Sequence, residues 1–228
     1  MTHGVAAVAC ILLAVTGVFV FVPSLGGGIM GGEFTQTMRM LHRVLAVPFI
    51  LVPLFAVLKS PAGFVHLFKE DIFGKWDKDD VTWAMKFPFY LFAPGKVHMP
   101  PQHHVKSAQR LADGALLFFC IMLALSGIVL WLNTGFPTGS GLKVDFAPET
   151  LLLAHLVHDV FFFLTVFVGI AHIYLGAGIF QPYRGTARIM FGDGKVSESD
   201  AVYHWGYWAN EEIALGKNVT VEKDGKEK

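Results

Sequence analysis

Four stretches of the chain are apolar almost without interruption, near residues 4–22, 41–58, 111–132 and 151–180, and the segments between them are polar. A hydrocarbon core of about 30 Å takes about 20 helical residues, so each stretch predicts a helix that crosses a bilayer. The fourth is longer than a span needs and is expected to tilt or project, ending near Pro182 in "GIFQPY". The first lacks a charged leading region, and "FVPSLGGG" is a weak cleavage site, so it reads as a retained span rather than a signal peptide. In the long connection 59–110, "GFVHLFKEDIFGKW" and "WAMKFPFYLF" mix aromatics with charges and are expected to lie along the membrane surface. The closing "KNVTVEKDGKEK" reads as a mobile polar tail.

Composition strengthens the membrane assignment. Of 228 residues 54% are hydrophobic and only 16% charged, with mean hydropathy +0.52, outside the range of an ordinary soluble domain. The expectation is an all-α membrane protein, one membrane domain over 1–228, built as a four-transmembrane-helix bundle. A net charge of zero gives no field that would favour nucleic acid. Cys10 and Cys120 each fall inside an apolar run, where a thiol behaves as a small hydrophobe, and no C-x-x-C-H run exists to attach haem covalently.

Charge placement orients the chain. Segments 23–40 and 133–150 together with Arg43 hold three Lys or Arg, whereas 59–110 holds eight and 181–228 holds seven. By the positive-inside rule both termini and the 59–110 connection are expected in the cytoplasm. An internal echo accompanies this topology: "ILLAVTGVFVF" at 11–21 resembles "IMLALSGIVLW" at 121–131, each with a mid-membrane glycine, Gly17 or Gly127. Small residues there serve close helix packing or leave room for a flat cofactor face.

Histidines supply the candidate chemistry. In "LVHDVFFFLTVFVGIAHIY", His158 and His172 stand 14 residues apart, which on a helix brings them within about 40° of one face and about 21 Å apart along it. His155 misses the His172 direction by about 100° and is expected at the helix entry. His42 enters the second span from the outside and matches His158 in depth; His3, at the cytoplasmic end of the first, matches His172. A single membrane histidine often serves only as a hydrogen bonder between helices, but ionisable groups at this depth are costly and tend to be functional. Imidazole pairs suit zinc, copper or haem iron. Zinc would want further Cys, Asp or Glu ligands, and only Asp159 is near, about 100° off the His158 direction. A haem needs two axial imidazoles and nothing more. The adjacent His103 and His104 read as a solvated loop cluster rather than a metal site.

With these residues in view the chain resembles the dihaem cytochrome b (gamma) subunit of membrane-bound respiratory formate dehydrogenases, a family similar to the cytochrome b subunits of nickel-iron hydrogenases and to some thiosulfate reductase anchors. The likeness runs through "HGVAAVACILLAVTGVFVFVP", "MRMLH", "VKSAQRLADGALLFFCIMLALSGIVLW", "HDVFFFLTVFVGIAHIYLGA" and "GTARIMFGDGKVSESDAVYHWGYW". It implies two haem b groups, the outer held by His42 and His158 and the inner by His3 and His172. It implies a menaquinone site near His172 and the segment "KSAQR", with Ser107, Ala108 and Gln109 as contacts; Gln109 stands in the pattern, Ala108 replaces a glycine and Lys106 an asparagine. Arg43 is then either a propionate partner or a snorkelling arginine, and Asp113 an interfacial carboxylate or a proton donor to the quinone. Only Met1 and Thr2 precede His3, less than one helical turn, so either the start is assigned late or the inner haem is held more loosely.

The function implied is electron transfer within an oxidoreductase complex of the bacterial cytoplasmic (inner) membrane. An iron–sulfur subunit and a molybdenum or tungsten catalytic subunit would deliver electrons from formate, outside, through the two haems to menaquinone, inside. The same scaffold serving a hydrogenase or a thiosulfate or polysulfide reductase is one alternative. A non-redox histidine-bearing metal transporter or membrane anchor is another.

Overall fold

The computed structural model describes residues 2–26, 32–137 and 141–220. The chain is all-helical, 77% helix, and an isolated bridge between Phe136 and Leu142 is the extent of β pairing among the described residues. Four helices have the length and composition to cross a membrane: α1 (Thr2–Phe21), α2 (Glu33–Lys59), α5 (Ser107–Thr134) and α6 (Pro148–Gly176). Shorter helices fill the rest: α3 (Pro61–His66), α4 (Lys78–Phe92), α7 (Ala187–Phe191), α8 (Glu198–His204) and α9 (Gly206–Leu215).

The helix limits differ from hydropathy in instructive ways. α2 begins eight residues ahead of the expected Leu41, with Glu33 in its first turn, where a carboxylate complements the helix dipole. Its prolines, Pro48 and Pro53, sit inside the helix, as intramembrane helices tolerate. α6 opens on Pro148, a residue suited to a first helical position. It stops at Gly176 rather than Phe180. The chain reverses at Gly178, whose φ of +65° and the Tyr183 carbonyl 2.8 Å from any added Cβ leave room for glycine alone.

The chain packs as two compact units, Met1–Phe68 with Ala115–Val168, and Lys69–Gly114 with Gly169–Lys228. The division arises because the long connection and the C-terminal segment fold on each other. The first unit is the four-helix bundle. Its interior is lined by small residues, with Ala9, Thr16, Ser126, Ala154 and Thr165 all buried, while Leu152 and Phe167 are 72% and 75% exposed. Close packing through small side chains with large apolar ones outward suits lipid surroundings. Aromatic edges join the helices, Phe21 to Phe163 at 5.6 Å and Phe118 to Phe161 at 5.4 Å.

The second unit is held by polar and aromatic contacts. Asp77 and Asp80 form a reciprocal capping box at the start of α4. Ser107, fully buried, donates its backbone N–H to Gln102 Oε1 at 3.0 Å, and its hydroxyl lies 2.8 Å from Asp80 Oδ1 and 2.7 Å from Gln102 Oε1. Arg110 closes the cluster on Asp80 at 3.5 Å. The Tyr90 and Tyr203 hydroxyls bond at 2.8 Å, and Tyr207 donates to Asp79. His103 bonds Asp77 at 3.1 Å and stacks on Tyr207, while His104 lies beside Trp208. This pair therefore ties the connection to α9. Lys106 is buried, with its ammonium over the rings of Trp205 (3.9 Å) and Tyr183 (4.5 Å). Burial lowers its pKa to about 7. Residues 221–228 of the polar tail lie outside the described residues.

Candidate cofactor site

Each hairpin of the bundle seats one histidine. His42 on α2 directs Nδ1 at Thr16 Oγ1 of α1, 2.9 Å away. His158 on α6 directs Nδ1 at Ser126 Oγ of α5, 3.0 Å away. The back-bonded hydroxyls favour one tautomer. Thr16 Oγ1 lies 2.9 Å from the Leu12 carbonyl and Ser126 Oγ 2.7 Å from the Met122 carbonyl, each one turn back. A hydroxyl has one proton. Once it is given to the carbonyl, the oxygen accepts from the ring, so both Nδ1 atoms carry hydrogen and both Nε2 atoms keep a free lone pair.

Glycine makes room for each ring. A Cβ on Gly17 would stand 3.4 Å from His42 Cε1, and one on Gly127 would stand 3.3 Å from His158 Cε1. The space left by the missing side chain is taken by the edge of an imidazole, which refines both readings of the internal echo. Thr16 and Ser126 escape the sequence reading as site residues. The signal for them is the "TG" and "SG" pair within that same echo.

The two rings then face one another with centres 6.2 Å apart and planes at 68°. An imidazole–metal–imidazole axis, with about 2 Å per metal–nitrogen bond and about 1.1 Å from nitrogen to ring centre, separates ring centres by about 6.2 Å. Among the described residues no group of three or more His, Cys, Asp or Glu side chains is arranged to hold a metal ion. The donor set is thus two neutral imidazoles, which suits iron whose other four ligands come from a macrocycle. His155 is exposed and stands outside this pair.

Over most of its length the chain matches the model of a known family, prokaryotic cytochrome b561, across residues 1–193. The chain belongs to the prokaryotic cytochrome b561 family. Cytochrome b561 proteins bind haem b, and this member of the family is an integral membrane cytochrome b with four apolar helices. No curated protein matches the sequence significantly.

The remaining candidates of this b561 chain divide between the two units. His3 is exposed on the first turn of α1, in the first unit. His172 lies in the second unit near the end of α6, its Nδ1 3.9 Å from Asp113 Oδ1, a carboxylate where His42 and His158 have hydroxyls. Ser107 is wholly buried in the Asp80–Gln102 cluster, Ala108 is half-buried and Gln109 is exposed. Arg43, beside His42, donates from Nη2 to Thr134 Oγ1 at 3.0 Å.

Proposed function

We propose that this chain is the membrane-anchoring electron-transfer subunit of a respiratory formate dehydrogenase, with two haem b groups and menaquinone as electron acceptor. The observation that carries the reading is the His42–His158 pair, two imidazoles tied back at Nδ1 with ring centres 6.2 Å apart. His42 and His158 would hold the outer haem, and His3 with His172 the inner one. Haem b held there would supply one-electron transfer.

The chain's own residues hold, orient and insulate. The apolar helices keep water from the His42–His158 pair, and Arg43, pivoted on Thr134, offers a guanidinium to a propionate. Gln109, Ala108 and His172 contact the quinone head. Ser107 supports them from behind by anchoring the start of α5 to Gln102 and Asp80. Asp113, at 3.9 Å from His172 Nδ1, holds a proton drawn from the cytoplasmic side. The excess of Lys and Arg in 59–110 and 181–228 supports cytoplasmic termini, in a bacterial inner membrane. An iron–sulfur subunit and a molybdenum or tungsten subunit dock on the opposite face.

Affinity purification of the intact complex from membranes, with haem quantitation by reduced-minus-oxidised spectra, tests this. Two haems per chain and a co-purifying molybdenum or tungsten subunit are expected. His42→Ala and His158→Ala should each lose one haem, and His3→Ala and His172→Ala the other. A nickel-iron subunit in the complex would move the chain to a hydrogenase, and the absence of a b-type band would end the redox reading.

A further inference from the structure

The α1 and α5 helices repeat one another at a constant offset of 110 positions: Cys10 and Cys120, Leu13 and Leu123, Thr16 and Ser126, Gly17 and Gly127. Their contacts repeat as well. Thr16 and Ser126 each bond back to the preceding turn and meet the Nδ1 of a histidine on the next helix. Gly17 and Gly127 each stand under the Cε1 of that ring. The carbonyls of Leu13 and Leu123 flank the same two rings. A carbonyl only accepts, which agrees with hydrogen on Nδ1 in both.

Where two equivalent elements are related by a two-fold axis, a residue that meets its own counterpart lies at that axis. His42 meets His158, and the free thiol of Cys10 lies beside that of Cys120. We infer that the site is built from two equivalent half-sites, one per helix hairpin about a local two-fold axis, in which Thr16 and Ser126 are the positioning residues of His42 and His158. This rests on the reading of those histidines as haem ligands.

The physical role follows from the hydroxyl's single proton. Each hydroxyl holds its ring at Nδ1, which disfavours rotation and tautomer exchange and keeps Nε2 available before any cofactor arrives. Donation from Nδ1–H also pushes electron density toward Nε2 and favours the oxidised metal. Losing the acceptor raises the midpoint potential and loosens the ring. A carboxylate in its place would draw the ring proton; a back-bonded hydroxyl holds it without taking it.

The test uses the full chain in its complex, reconstituted in nanodiscs, with Thr16→Val and Ser126→Ala measured by potentiometric titration of the haem bands and by haem retention. Both variants should move the same haem, and only that one, to higher potential and weaken its retention about tenfold. Thr16→Ser and Ser126→Thr, which keep the hydroxyl, should behave as wild type. Wild-type potential and retention in both hydroxyl-free variants overturn the positioning role, and a shift in one alone overturns the equivalence. If Thr16→Val does not accumulate, Thr16→Ala carries the same prediction with less bulk. Failure of the ligand reading looks different: His42→Ala and His158→Ala would then leave haem content unchanged.

Discussion

Acid should loosen the second unit at one identifiable residue, His204. Its side chain is 5% exposed, its Nε2–H donates to the Pro182 carbonyl at 2.8 Å, and the rings of Tyr183, Tyr203 and Trp205 surround it at 4.5, 4.9 and 5.6 Å. Burial first and the nearby Lys106 charge second lower its pKa from 6.5 to about 4, with Asp200 opposing. An unfolded chain takes up this proton near pH 6.5 while the folded unit resists until about 4. The unfolded state therefore binds more protons throughout that window, and stability is full above it and falls as pH drops. The shift corresponds to about 3 kcal/mol lost across the window. Lys106 has largely protonated near the top of it, and carboxylates begin to protonate below about pH 5. The chain holds ten histidines, so comparison with a variant that cannot titrate isolates this one. His204→Gln keeps a donor for Pro182 and cannot titrate. Urea unfolding of nanodisc-held protein, followed at each pH by intrinsic tryptophan fluorescence, should give a midpoint that falls from pH 6.5 to 5 for wild type and falls less for His204→Gln. Identical curves above pH 5 would refute the assignment.

Asp80→Ala should cost about 3–5 kcal/mol, because it leaves Arg110, 9% exposed at its side chain, without its buried counter-charge. Protease resistance of the second unit under urea reads this, and Ser107→Ala should cost less, about 1–3 kcal/mol. Gly17→Val and Gly127→Val should each displace the facing ring and lower haem retention, since even a methyl there stands 3.4 Å from His42 Cε1 or 3.3 Å from His158 Cε1. His155→Ala should retain full haem content while His158→Ala loses one haem, measured by pyridine haemochrome assay.

Hydropathy alone makes the all-α, four-span architecture legible, because a bilayer interior admits helices whose backbone bonds are satisfied within the segment. The limits of those helices are less so. The leading turns of α2, "EFTQTMRM", read as a polar connection, yet Thr35 is fully buried there and a Cβ on Gly26 would stand 2.7 Å from its Oγ1. Amphipathic composition marks 59–110 as a membrane-surface segment without revealing that it folds together with 181–216. Tyr90 meets Tyr203 across 113 residues and Tyr207 meets Asp79 across 128. Such pairings carry no periodicity, so no local pattern announces them. Ser107 shows the same limit from the other side. Its place in a motif suggests a contact with substrate, whereas its hydroxyl is engaged inside a buried polar cluster.

Depth in the membrane is a one-dimensional quantity, and sequence determines it: helix length, Lys and Arg asymmetry and a 3.6-residue repeat suffice to bring His42 and His158 to one level. Rotation about each helix axis and the choice of neighbours are decided in three dimensions by packing. Only the tertiary structure therefore shows that Thr16 and Ser126 turn their oxygens to the imidazoles, that Gly17 and Gly127 admit the ring edges, and that the two rings stand 6.2 Å apart. The reason is that a hydrogen bond between helices depends on the angle at which two faces meet, and that angle is set by every small residue along the seam.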